Sequence, residues 1–320
     1  MKKIMNITTS AYDLPRYGNN SDLKDFYHNL GLDGVEVMRA GEDASGIIRP
    51  EDVAGVHLKF FASWMDIWIG DRERLIAEYD NWTTCEQVYG GSSKDAIVEA
   101  YRRDLDFAAS FSPEYLVFHV AECTLEESVT RQFRYADKRV IDATIDLINR
   151  IVPFIQGSPF LLFENLWYPG LTMLRPKMVK RLLDGIDYPK KGVMLDVGHL
   201  LHTNTELTSL AEGLRYAEDI LDRYDDLSFI RGIHLHQTLS GQYAERIRKE
   251  WRRKPRAESY HDRLCEVLPH IYQIDSHQPY SCDGIRDLVS RISPEYLVLE
   301  QISRSREEHE KNIREQLRYL

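Results

Sequence analysis

The 320-residue sequence predicts an α/β protein, and within that class a single (β/α)8 barrel. Three observations carry this expectation. Eight short runs rich in β-branched and aromatic residues recur along the chain. Segments with helical periodicity separate most of them. No Pro/Gly/Ser-rich linker, internal repeat or low-complexity tract divides the chain, so residues 1–320 are expected to form one domain.

In chain order the strand candidates are IMNITTS (4–10), GVEVMR (34–39), GVHLKFF (55–61), YLVFHVA (115–121), FLLFENL (160–166), GVMLDVG (192–198), GIHLHQ (232–237) and YLVLEQI (296–302). Most are apolar on both faces, as strands covered by helices must be. The intervening helices read most clearly in SDLKDFYHNLGL, SSKDAIVEAYRRDLDFAASF, DKRVIDATIDLINRIVPFI and TELTSLAEGLRYAEDILDRY. The last segment, SREEHEKNIREQLRYL, opens with a capping box, Ser305 with Glu308 three residues on. The gap after the second strand, AGEDASGIIRPED, is too short and too rich in glycine and proline for a good helix, so irregular structure is expected there.

Composition limits the setting. The N-terminal MKKIMNITTSAYD lacks the apolar run of a signal peptide, and no stretch approaches a membrane span, so a cytoplasmic protein without membrane partners is expected. Cys85, Cys123, Cys265 and Cys282 lie far apart with no C-x-x-C spacing, which argues against a disulfide framework and a cysteine zinc knuckle. A formal charge of −10 opposes general attraction to nucleic acid and favours a small-molecule substrate. Charge is nevertheless uneven. Residues 240–263 hold eight Lys or Arg against four Asp or Glu, a basic insertion after the seventh strand. The segment reads either as a solvated helix face or, as a long charged loop on the catalytic face, as a lid or phosphate clamp with Arg252 and Arg253 as its substrate-phosphate ligands.

In such a barrel, residues at the carboxyl ends of the strands converge on one mouth however far apart they lie in sequence. Those ends carry His57, His119, Glu164, Asp196 with His199 just beyond, His234 and His236, and Glu300. A carboxylate inside an apolar run is expensive to bury without a cation or hydrogen bonds. Three carboxylates and several imidazoles at one mouth therefore predict a divalent-metal site. In LDVGH, Asp196 ends the strand as a hard oxygen ligand, Gly198 lets the chain turn and His199 points back at the same centre, while His202 stands aside.

The ENL of strand five, LDVGH of strand six, HLH of strand seven and LE of strand eight, in that order, resemble the xylose isomerase-like or endonuclease IV-like TIM-barrel superfamily. The resemblance spans nearly the whole chain and implies two ligand sets. In the isomerases and epimerases one divalent ion, Mn, Mg or Zn, is held by residues corresponding to Glu164, Asp196, His234 and Glu300. In the endonuclease IV branch a three-zinc cluster adds further ligands, and His57, His119, His199, Asp275 and His277 could supply them. This chain departs from the family at strand seven, where HLHQTLSG and the basic insertion separate His234 from the DSH at Asp275 to His277. That distance argues for the single ion.

The reading that follows is a metal-dependent sugar or sugar-phosphate isomerase or epimerase. Proton transfer next to a carbonyl would use Glu164 and Glu300 as the acid–base pair and His199 to hold a substrate oxygen. The alternatives are a zinc-dependent phosphodiesterase with the full ligand set, and a non-catalytic metal- or sugar-binding barrel.

Overall fold

The computed structural model describes residues 1–41, 46–253 and 255–320. Eight parallel strands close into a barrel in sequence order: β1 (Lys2–Thr8), β2 (Gly34–Met38), β3 (Val53–His57), β4 (Tyr115–His119), β5 (Phe160–Glu164), β6 (Lys191–Asp196), β7 (Ile230–His234) and β8 (Tyr296–Leu299). Closure comes from β1 pairing with β8 from Lys2 beside Tyr296 to Met5 beside Leu299. All eight expected strands are present. The expected segments run past their carboxyl ends because the polar residues there belong to loops. Part of the irregular gap after β2 lies outside the described residues; the rest ends in a 3-10 turn, Pro50–Asp52, that leads into β3.

Side chains alternate along each strand, so every second residue enters the barrel. One inner layer is apolar and includes Ile4, Tyr115, Val117, Leu162, Met194, Tyr296 and Val298. Two residues further on, the same faces carry His119, Glu164, Asp196 and Glu300, while the pairing of Asp196 with His234 sets β7 level with them. The polar layer thus rests on an apolar floor. Gly55 serves that floor: a Cβ there would lie 2.1 Å from the Tyr115 ring, which fills the barrel bottom.

The helices Asn20–Asn29, Lys94–Ala109, Asp137–Ile151, Leu210–Leu221 and Arg306–Leu317 lie where helical periodicity places them. Ser305 caps the last one by accepting from the Glu308 amide at 3.2 Å, but the Glu308 carboxylate turns to the Arg304 amide instead of completing the box. Among the described residues no helix is long and apolar enough to cross a membrane.

The basic insertion forms two helices, Gly241–Trp251 and Tyr260–Ile274. They pack on the loop helix Leu125–Thr130 through Val129, Ile247 and Val267. Its base is closed by an antiparallel bridge, with the Gln237 amide donating to the Gln278 carbonyl at 2.8 Å and the Gln278 amide returning a bond at 3.2 Å.

Candidate metal centre

That bridge decides where Asp275 and His277 go. Gln237 lies one residue beyond His236, so the bridge returns the chain to the barrel mouth beside strand seven. The rings of His236 and His277 stack with centroids 3.8 Å apart and planes 12° apart. His199 Nε2 lies 3.3 Å from Asp275 Oδ2, and His277 Nε2 lies 3.5 Å from Glu300 Oε2. The length of the insertion does not separate Asp275 and His277 from the other candidates, contrary to the expectation drawn from their distance in sequence.

Overlapping groups of potential ligands result, each with its ligand atoms within 4.8 Å of one another. They are His57 with His119 and Glu164; His57 with His234 and Glu300; Glu164 with Asp196, His234 and Glu300; and Asp196 with His199, His236 and His277. Glu164, Asp196, His234 and Glu300 are each shared between groups. Glu164, Asp196 and His234 are wholly buried at the back of the cluster, whereas His119, His199, Asp275, His277 and Glu300 line the mouth. Glu164 Oε1, His234 Nδ1 and Glu300 Oε2 are buried without hydrogen-bond partners. Yet His234 Nδ1 is only 3.4 Å from Glu164 Oε1 and 3.1 Å from Glu300 Oε2. Donor atoms that crowd together without bonding one another have the arrangement of a metal-ligand shell. The donor set fits a cation, being nitrogen and oxygen only.

Electrostatics agree. Burial alone would depress the imidazoles, but Asp196 and Asp275 hold His199 well above its ordinary pKa, and Asp275 with Glu300 does the same for His277. Burial would also raise Glu164, which the neighbouring His119 and His234 instead bring well below the carboxylate range. Excess carboxylate charge is therefore shared among imidazoles wherever no cation is bound.

Supporting contacts orient these side chains. Asp196 ends β6 and caps the helix Val197–His202, its Oδ1 accepting from the His199 amide at 2.6 Å. Asn165 locks this end of the barrel by bonding both the amide and the carbonyl of Asp196, each at 2.9 Å. His199 Nδ1 lies 2.9 Å from the Asn165 carbonyl, so the ring's Nε2 faces Asp275. Gly198 does not mark a turn, as the sequence suggested; it lies inside the helix, and a Cβ there would sit 2.1 Å from the His236 ring. Gly198→Ala should therefore destabilise the protein by about 1–3 kcal/mol through overpacking, despite alanine's better helix propensity. Thermal melts check this; an unchanged or higher Tm would show that the His236 ring moves aside freely.

Two contributors escaped the sequence reading. Glu36, buried on β2, lies 3.1 Å from His234 Nε2 and accepts from the Tyr115 hydroxyl at 2.8 Å, which turns Nδ1 of His234 toward the cluster. Its signal was a carboxylate inside an apolar strand, the criterion that singled out Glu164. His236 was noted on strand seven but left out of the ligand set; its Nε2 is 2.8 Å from Asp196 Oδ2. His202 is buried against Trp167 and outside all of these groups, with burial, aided by the Arg131 charge, pushing its pKa down to about 3.

Arg252 and Arg253 do not line the mouth, and their assignment as a phosphate clamp is corrected accordingly. Both are exposed at the end of the first insertion helix, and Arg252 faces a separate surface pocket with Glu78 and Glu126. Lys254, in the same basic run, lies outside the described residues. Other arginines of the insertion have structural partners: Arg263 bonds Asp80 at 2.7 Å and Arg256 bonds the Ala77 carbonyl at 2.9 Å. The basic composition reflects attachment to neighbouring loops.

Above the cluster the mouth opens into a cavity of about 740 Å³. Next to Cys123, which lines this cavity, Glu122 is 1% exposed and its Oε2 accepts from the amides of Trp64 at 2.7 Å and Met65 at 3.0 Å. Burial pushes this carboxyl from 4.5 up to about 8. A group raised on folding contributes stability that is present below its unfolded pKa and lost as pH rises through its folded one. Glu122→Gln, which keeps the accepting oxygen, should therefore be the more stable protein at alkaline pH. Its advantage should grow between pH 4.5 and about 8 to a few kcal/mol. Melts of both proteins across this range check it, and a pH-independent difference would contradict it.

Comparison with known proteins matches the fold. A family model described as a xylose isomerase-like TIM barrel covers residues 25–320. The structure is similar to that of a D-tagatose 3-epimerase-like protein, at 14% identity and TM-score 0.51 over 100% of this chain and 94% of the other. It is likewise similar to endonuclease IV from Thermus thermophilus, at 15% identity and TM-score 0.52 over 100% of this chain and 98% of that one. No curated protein matches the sequence.

Proposed function

From the premise that the chain belongs to the xylose isomerase-like TIM-barrel family, we propose that it is a multinuclear metal-dependent phosphodiesterase acting on a small molecule. The observation that carries this reading is the position of Asp275 and His277 against His199, His236 and Glu300. A single ion held by Glu164, Asp196, His234 and Glu300 leaves these groups without work. With them, imidazoles outnumber carboxylates around the mouth, a donor set that suits zinc better than magnesium.

Divalent ions held there would supply Lewis acidity toward phosphoryl oxygens and acidify water. The chain's own residues do the rest. Glu164 and Asp196, each shared between two of the ligand groups, would each contribute to more than one binding position. His119, Asp275 and Glu300 line the mouth that would face an incoming phosphodiester. A small substrate accords with the net charge of −10 and with a mouth that excludes Arg252 and Arg253.

The isomerase or epimerase reading keeps one specific support, the compact four-residue set within 4.8 Å. The two are separated by assaying zinc- and manganese-loaded protein in parallel on bis(p-nitrophenyl) phosphate and on a panel of ketoses, aldoses and their phosphates. Phosphodiester hydrolysis without sugar interconversion is expected; the reverse outcome would install the isomerase. A metal-replete protein inert on both panels would favour the binding barrel.

A further inference from the structure

The cavity over the metal centre is polar where it meets the ligand cluster and apolar along one side. That side is built by the loops after β3 and β4 and by the second insertion helix, Tyr260–Ile274. Phe60 begins it, with its ring centroid 4.6 Å from that of His119 and its side chain packed on the buried cluster that holds Cys123 and Trp167. The Cys123 amide donates to the Ala62 carbonyl at 2.7 Å, which joins the two loops. Leu125 follows, and it packs with Ile271 on Val129, Ile247 and Val267. The Ile271 carbonyl accepts from the Asp275 amide at 2.8 Å, so the far end of the strip meets the ligand cluster again beside His199. Phe60, Leu125 and Ile271 are half-buried, and Tyr272 is 63% exposed at the rim.

Between His119 and Asp275, the cavity-lining residues that these three segments contribute carry no charge. The aliphatic hydroxyls among them are engaged at the helix Leu125–Thr130. Thr124 Oγ1 accepts from the Glu127 amide at 3.3 Å, and Ser128 Oγ donates to the Leu125 carbonyl at 2.7 Å. A sugar laid along this strip would give up water without finding hydrogen bonds in return. An apolar body loses nothing there and gains by covering the exposed side chains. The cavity, at about 740 Å³, falls within the roughly 300–1,000 Å³ of sites that enclose a drug-sized ligand, so it has room for more than a phosphate group. We propose that Phe60, Leu125, Ile271 and Tyr272 form a specificity subsite for a bulky apolar or aromatic group carried on the substrate's phosphodiester. This deepens the phosphodiesterase reading and rests on it for the position of the phosphate.

Calorimetric titration of the zinc-loaded protein with methylphosphonate and 1-naphthylphosphonate, whose P–C bonds resist hydrolysis, tests it. The naphthyl compound should bind about tenfold or more tightly than the methyl one, with the negative heat-capacity change of apolar burial. Equal affinities overturn the subsite, and this comparison needs no variant. In the protein carrying both Ile271→Ser and Tyr272→Ser the naphthyl advantage should shrink about tenfold, through lost contact with two apolar side chains. Methylphosphonate binding is the internal reference for the metal centre of that variant, and an undiminished advantage overturns the subsite. If neither phosphonate binds, uncharged 1-naphthol is titrated instead and followed by tryptophan fluorescence. Saturable binding that weakens in the variant would leave the subsite standing and remove the phosphodiesterase reading. Naphthol binding that is absent up to its solubility limit, or unchanged in the variant, overturns the subsite itself.

Discussion

Asp196→Asn and Glu300→Gln should each lose metal while the barrel stays folded. Each residue belongs to more than one of the ligand groups at the mouth, so either change removes an anionic oxygen from two shells at once. Asn at 196 keeps an oxygen able to cap the His199 amide, so the local helix survives. What it lacks is the charge that Asp196 Oδ2 presents beside His236. Gln at 300 likewise fills the volume of Glu300 but replaces one oxygen with an amide nitrogen beside His234 and His277. Since removing even an outer partner of a ligand costs about 10–100-fold in metal affinity, loss of a charged ligand should cost at least about a hundredfold. Catalytic activity should fall with it. Elemental analysis of each variant, with circular dichroism to establish matched folding, checks this result. Wild-type metal content in both would remove Asp196 and Glu300 from the metal centre.

The legibility of this site in the sequence follows from its position at strand ends. Barrel strands announce themselves by doubly apolar runs, and the residue closing each run is the one that faces the mouth. That Glu164, Asp196, His234 and Glu300 come together at one end of the barrel was therefore readable without a structure. Period-two alternation puts His234 and His236 on the same side of the chain, so His236 was available to the same reasoning. Glu36 carried the same signal, a carboxylate inside an apolar strand, but its partners His234 and Tyr115 appear only when the barrel closes. Gly198 illustrates a second blind spot: glycine before a histidine reads as a turn, and only the His236 ring reveals that space, not backbone freedom, is what it provides. Arg252 and Arg253 were misplaced because composition reports charge but not where it points: both stand exposed at the end of the first insertion helix, away from the mouth. The place of the DSH segment could not be read for the converse reason. Distance along the chain says nothing about distance in space once Gln237 and Gln278 pin the two ends of an excursion together.

His277→Ala asks whether that closure has chemical meaning. His277 is 7% exposed and sits at a φ of +44°, a left-handed conformation that places its ring flat on His236 and its Nε2 near Glu300. Alanine bears a similar backbone cost at this φ, so the substitution chiefly removes the ring. The group Asp196, His199, His236 and His277 would then lack one nitrogen, while Glu164, Asp196, His234 and Glu300 would remain intact. For a multinuclear centre the zinc content of the variant should fall by about one ion per chain, and phosphodiester hydrolysis should drop by on the order of a hundredfold or more. A single-ion isomerase would retain its ion, because none of that ion's four ligands is touched. Zinc stoichiometry in wild-type and variant protein, measured together with turnover of bis(p-nitrophenyl) phosphate and of the sugar panel, distinguishes the cases. One ion in both proteins, with sugar interconversion preserved in the variant, would return Asp275 and His277 to a purely structural role at the base of the insertion.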